Sequence, residues 1–227
     1  PVAEEVKAVA ESEISIDTTK PNKTVGRNIY ESLAEQSFSQ EDAYQVQQWL
    51  DERGHFGVGG DLDYQDYSWD TLDSLAKQGD MRAMQQLADR AANDGDFSLA
   101  KGLYLSAAVR GSTLALVRAA NLTGVAVISG EVNHNEVMRS HALEALSLYA
   151  VAERRSDYMG AVQFQARKEI WGIELSESEM ADIQQRADEL YQTLSQSRRD
   201  LGLAPFDNNL PDAVQDFYLH ITQTAGP

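Results

Sequence analysis

From Ser74 to Ala120 one pattern is written twice. It reads Leu75-Ala76-x-x-Gly79-Asp80-x-x-Ala83-Met84-x-x-Leu87-Ala88, then Ala107-Ala108-x-x-Gly111-Ser112-x-x-Ala115-Leu116-x-x-Ala119-Ala120, with every matched position 32 residues apart. Self-similarity at a period of roughly 20 to 50 residues belongs to arrays of small units, each needing a neighbour to cover its apolar face. Within a copy the apolar positions recur three and four residues apart and break at Gly, so each unit reads as two helices joined by a tight turn. Leu99, Ala100, Leu103, Tyr104, Ala107 and Ala108 make the widest such stripe, rich in small side chains that let helices approach closely. A looser third copy follows at an offset of 45, in which Tyr149 stands for Tyr104, Ala152 for Ala107, Asp157 for Ser112 and Gly160 for Ala115. The extra residues fall mainly in Ser129 to Asn135, a loop by composition.

The spacing predicts helices over 69–78, 81–93, 97–110, 113–127, 140–155 and 157–171. Upstream, Ser39 offers an N-cap for a helix over 40–52 that buries Trp49 and ends at Gly54, and residues 28–36 can form a shorter helix. Residues 1–25 are an acidic, Glu-, Ser- and Thr-rich lead-in, and 26–68 form a helical extension with a Gly- and Asp-rich loop. Downstream, 173–227 hold two capping helices. Ser176-x-x-Glu179 is a capping box that opens the longest helix, reaching about Asp200, and Pro211 opens a last one in which Phe217, Tyr218 and Ile221 face the body. The long helix, with Ile183, Ala187, Leu190, Tyr191 and Leu194 on one side and charge on the other, suits the cover of a terminal repeat.

Charge then narrows the partners. The chain carries −17 over 227 residues, so a phosphate backbone meets repulsion over most of the surface and nucleic acid is a poor partner. Residues 101–172 nevertheless sum to +2. No apolar run approaches the ~20 residues that span a bilayer. The absence of cysteine excludes disulfides and thiolate sites, and Pro1 in the first position fits a trimmed or matured chain.

Gly79-Asp80-x-x-Ala83-x-x-x-Leu87, followed by Ala100-x-x-x-Tyr104-x-x-Ala107-Ala108-x-x-Gly111, resembles a Sel-one-like repeat, a relative of the tetratricopeptide repeat. The likeness covers about residues 69–172 in roughly three units. It departs from the family pattern at Ala91, where an aromatic is usual, and at Ser156, which replaces the turn glycine. The resemblance implies an all-α, right-handed α-solenoid of antiparallel helix pairs whose inner helices line a concave groove. It also implies a non-catalytic adaptor of the kind found in bacterial envelope processes, signalling and assembly. Location in the periplasm or cell envelope, with the cytoplasm as the alternative, follows from that likeness.

The candidate partner-binding residues are Lys101, Tyr104, Arg110, Arg118, Tyr149 and Arg154, with Arg155 beside them. Arginines can hold a carboxylate through two parallel hydrogen bonds and so select an acidic peptide or protein. The alternative is that these cations pair with the molecule's own carboxylates, and that the two tyrosines fill the core. No cofactor, metal site or catalytic set is expected. His134 and His141 are seven apart but lack a nearby acid for zinc, and no Gly-x-Ser-x-Gly turn marks a hydrolase. The competing class is a small-ligand or calcium-binding protein, or an enzyme, that uses the Gly54 to Asp66 loop. Its Asp61-x-Asp63-x-x-Asp66 lacks the remaining ligands of a helix-loop-helix calcium site, and no Gly-Lys-Ser/Thr ending supports a phosphate loop. Self-association through terminal apolar faces is a third outcome.

Overall fold

The structure, a computed structural model, describes residues 38–56, 62–128 and 131–224. The expected lead-in, the helix over 28–36 and residues 57–61 of the Gly/Asp loop lie outside these. Ten helices and no strand make up the described chain: α1 (Gln40–Glu52), α2 (Leu62–Asp66), α3 (Trp69–Lys77), α4 (Met81–Asn93), α5 (Phe97–Arg110), α6 (Thr113–Gly124), α7 (Glu136–Arg154), α8 (Tyr158–Trp171), α9 (Glu177–Asp200) and α10 (Asp212–Thr224). None is long and apolar enough to cross a membrane.

Helices α3 to α8 pack each against the next, and α9 lies on α7 and reaches α5. This body encloses one continuous core in which alanines alternate with single large side chains. Ala83, Ala88, Ala100, Ala107, Ala108, Ala115, Ala119, Ala120 and Ala145 are all buried, around Leu72, Leu87, Leu116, Leu146 and Tyr149. Methyl-sized contacts permit the short interaxial distances at which backbones nearly touch. A second, smaller cluster stands apart: Val46 and Trp49 of α1 with Ala213, Val214, Phe217 and Tyr218 of α10. Phe217 and Tyr218 anchor the last helix chiefly on α1, and Tyr218 also meets the start of α8 through Tyr158 at 5.4 Å; the side chain of Ile221 lies outside the described residues.

The turns explain the period. Asp80, Ser112 and Asp157 each cap the following helix, accepting from the backbone amides of Ala83 (2.9 Å), Ala115 (2.9 Å) and Met159 (3.0 Å). The residue before each cap sits at positive φ: +100° at Gly79, +134° at Gly111 and +61° at Ser156, the one non-glycine among the described residues to do so. The serine therefore keeps the turn the repeat needs although it lacks glycine's freedom there. Four positions beyond, Ala83 and Ala115 are fully buried, and a Cβ on Gly160 would lie 2.6 Å from the Tyr149 carbonyl oxygen and the Glu153 amide. The third turn thus needs an even smaller side chain than the first two.

Caps also account for the shifted boundaries. Helix α7 starts four residues before Ser140, because the Asn135 side chain accepts from Val137 N (3.0 Å) and Met138 N (3.2 Å). Helix α6 ends at Gly124, over which the Trp171 ring packs with Cζ2 2.6 Å from where a Cβ would be. Ser176 closes the expected capping box with Glu179, and Ser39, expected as an N-cap, closes one as well with Asp42.

Candidate functional site

Two polar clasps tie consecutive helices of the body together, and three of the sequence-selected residues, Tyr104, Arg118 and Tyr149, belong to them. In the first, Tyr104 (α5) donates its hydroxyl to Asp89 Oδ1 (2.5 Å), while Arg118 (α6) reaches the other oxygen of the same carboxylate at 2.5 Å. In the second, Tyr149 (α7) donates to Asn121 Oδ1 (2.6 Å), and Arg167 (α8) donates to that oxygen at 3.2 Å. Asp89 and Asn121 are one 32-residue period apart, and the clasp is itself a repeat that the sequence pattern did not show. Burial lifts both tyrosine hydroxyls above their ordinary range, for Tyr104 with help from the Asp89 charge. Both rings are core residues, 5 % and 0 % exposed.

The other selected cations have partners of their own. Lys101 pairs with Glu144 of α7 at 2.5 Å, and Arg154 pairs with Asp188 of α9. The Arg110 guanidinium lies against Gly79 in the α3–α4 turn. Lys101, Arg118 and Arg154 remain about one-third exposed, so each could exchange its carboxylate for one from outside. These pairs stabilise little in water because solvent screens them.

A denser polar centre, not singled out by the sequence apart from Arg155, sits where α1, the turns after α5 and α7, and the segment 203–211 converge. The carbonyl of Arg53, at the C-terminus of α1, accepts from the amides of Thr113 (3.0 Å) and Leu114 (3.2 Å), which set the negative end of α1 against the positive end of α6. Beside it the fully buried Asp157 accepts from Thr113 Oγ1, from the Met159 amide and, at 3.4 Å, from the Tyr218 hydroxyl, and pairs with His55 Nε2 at 2.7 Å. Burial alone would raise its carboxyl; the His55 and Thr113 contacts outweigh that and hold it below the usual range.

Segment 203–211 lies across this centre as an irregular strap. Arg53 donates to the carbonyls of Asp207 (2.9 Å) and Asn209 (3.4 Å), Trp49 Nε1 to that of Asn209 (3.3 Å), Ser156 Oγ to that of Asn208 (2.5 Å) and Arg198 to that of Ala204. Arg155 reaches Asn208 Oδ1 at 3.0 Å and the Gly111 carbonyl at 3.3 Å. The Phe206 ring is stacked by Arg155 (3.7 Å) and Arg198 (4.9 Å) and packs on Tyr191 at 5.8 Å. Burial, then the nearby Arg53 and Arg198, brings the Arg155 guanidinium down to about 10.

Open depressions lie beside the strap and on α5. One of about 740 Å³ follows α9 beside Tyr191, Arg198 and Phe206, and one of about 530 Å³ lies on the outer side of α5 around Leu99, Gly102 and Leu103. Among the described residues no three His, Asp or Glu side chains converge as a metal site. His134 is exposed, and of the Gly54 to Asp66 stretch residues 57–61 lie outside the described residues while Leu62–Asp66 forms α2 rather than loop. Compared with protein-family models, curated proteins and solved structures, the chain shows no match. The class that can be stated is an all-helical protein with a repeated turn and clasp.

Proposed function

We propose that this chain is a non-catalytic protein-interaction module, a short Sel-one-like solenoid that takes a peptide or helix of a partner protein on its helical face. The supporting observation is that α5 is apolar on both sides. Ala100, Tyr104, Ala107 and Ala108 enter the core, while Phe97 (49 % exposed) and Leu99 (42 %) stand outside with Leu103 half-buried beside an open depression. A helix that is apolar all round is ordinarily covered all round. Lys101 on the same helix and Arg118 on the next, each about one-third exposed and held by screened pairs, supply cations for an acidic partner. Such a module acts in the periplasm or envelope, and partner capture is its activity.

A photo-crosslinking residue at Leu99 in the full-length gene product, read in cells by mass spectrometry, is expected to trap a discrete protein partner and to report its compartment. Leu103→Asp should abolish the adduct, and charge reversal at Arg118 or Arg110 should weaken it. Adducts confined to a second copy of the chain would replace the partner by self-association. Absence of any adduct overturns the reading.

A further inference from the structure

We infer that the groove under the 203–211 strap is a second recognition site, for an extended segment of a partner in which an aromatic is followed two residues later by a carboxylate, and that the chain's own strap occupies it as a weaker, self-blocking ligand. The site is independent of the outer face of α5.

Four observations point there. First, the groove reads an extended backbone: the donors of Arg53, Trp49, Ser156 and Arg198 all meet carbonyl oxygens, which any sequence provides. Second, two strap side chains are read individually. Phe206 meets the guanidinium groups of both Arg155 and Arg198 over its ring, and Asn208 is held by Arg155 Nε and, through its own Nδ2, by the Tyr191 hydroxyl at 2.9 Å. Third, the groove holds more positive charge than its occupant answers. Arg53, 2 % exposed, has the strap's Asp207 carboxylate and Asp157 nearby, whereas Arg155, 3 % exposed, has Asp157 nearby but is repelled by both Arg53 and Arg198 and grips a neutral amide. Fourth, Arg155 Nη1 is buried with no hydrogen-bond partner. A buried guanidinium with an unmet donor and a neutral acceptor is a poor final state, because charged groups taken from water need charged or complete partners.

A carboxylate in place of the Asn208 amide supplies the missing charge. It accepts from Arg155 as a charge-assisted bond, and the Tyr191 hydroxyl, which accepts from the amide now, rotates to donate. The strap is also placed to detach. It is bounded by α9 and by α10, whose principal helix contact is α1, and its own contacts are mostly polar.

The test has two arms in the full-length protein. Asn208→Asp should strengthen the strap in place and raise the melting temperature by about 2–4 °C, and Arg155→Gln should cancel that rise. In the second arm the strap is weakened by Phe206→Ala with Asn208→Ala, and two labelled, end-blocked peptides are titrated: Ala-Pro-Phe-Asp-Asn-Asn-Leu-Pro, the native strap, and Ala-Pro-Phe-Asp-Asp-Asn-Leu-Pro. The acidic peptide should bind about tenfold more tightly, the difference expected between a charged and a neutral acceptor. Wild type, with its strap in place, should bind either peptide at least about tenfold more weakly than the variant does. If the double variant fails to unfold cooperatively, Asn208→Ala alone serves for the titration. Equal affinities, no binding of either peptide, or a melting temperature of Asn208→Asp at or below wild type overturns the proposal.

Discussion

The body and the α1–α10 clamp solve the same packing problem with opposite materials. In the body, alanines of α4 to α7 line the core, and the polar groups that enter are few and paired: two clasps in which each tyrosine has its Asx and arginine, a buried Gln85–Ser112 bond, and Ser147 bonded to its own helix. In the clamp, six apolar side chains form a small cluster, and the attachment to the body runs through Arg53, His55, Asp157, Ser156 and Arg155. Apolar contact tolerates small shifts, whereas hydrogen bonds among buried charges fail all at once when one member is lost. The clamp is therefore the region expected to separate cooperatively from the rest.

The sharpest way to break this contrast is at the residue both regions share. Asp157→Ala removes the common acceptor of His55, Thr113, Met159 and Tyr218, and should cost about 3–5 kcal/mol in urea unfolding, the scale for stripping one partner from a buried pair. A two-step transition, clamp before body, is the expected form. Leu116→Ala, fully buried in α6, comes next at about 3 kcal/mol. It should lower the body's transition while leaving any early clamp transition where it was. Hydrogen exchange sharpens the same point without mutation: amides of α10 should exchange well before those of α6 and α7. Equal protection in both would unite the two regions as one cooperative unit.

Smaller effects probe the edges. Arg139 holds Glu179 with two bonds of 2.5 and 2.9 Å, and this contact, ahead of the Ser176 amide, brings the Glu179 carboxyl down to about 2. Because the folded value lies below the unfolded one, this stabilisation is complete above about pH 4.5 and fades as pH falls towards 2. Glu179→Gln should thus cost about 1 kcal/mol or less at neutral pH, with the gap to wild type closing in acid, as melting curves across pH will register. The exposed Lys77–Asp73 pair, four residues apart on α3, should matter least, at about 0.3 kcal/mol in a double-mutant cycle that salt erases.

Much of the fold was legible because its signals are local. Gly79 and Gly111, followed by Asp80 and Ser112, mark turns whose geometry is set within four residues, and the bounds of α4 and α5 match the periodicity residue for residue. Ser156 broke the glycine pattern, yet the aspartate after it still marked the turn. The candidate site was less legible. Tyr104, Arg118 and Tyr149 stood out by position, but their partners Asp89 and Asn121 lie on outward-looking polar positions that resemble any solvated face. His55 and Asp157, 102 residues apart, carry no pairing signal at all.

What the sequence determined by itself is the set of described helices other than α2, which falls in the expected Gly/Asp-rich loop, together with their turns and the small side chains that let them close on one another, since these depend on spacing and caps read over a turn or two of chain. Only the tertiary structure decided that α9 lies over α7 and α5, that α10 returns to α1, and that 203–211 crosses three arginines. Arg53 finds Asp207 from 154 residues away and meets its carbonyl, the one group every residue offers. A contact made to the backbone leaves no trace in the side chains, and so it had to be seen folded to be known.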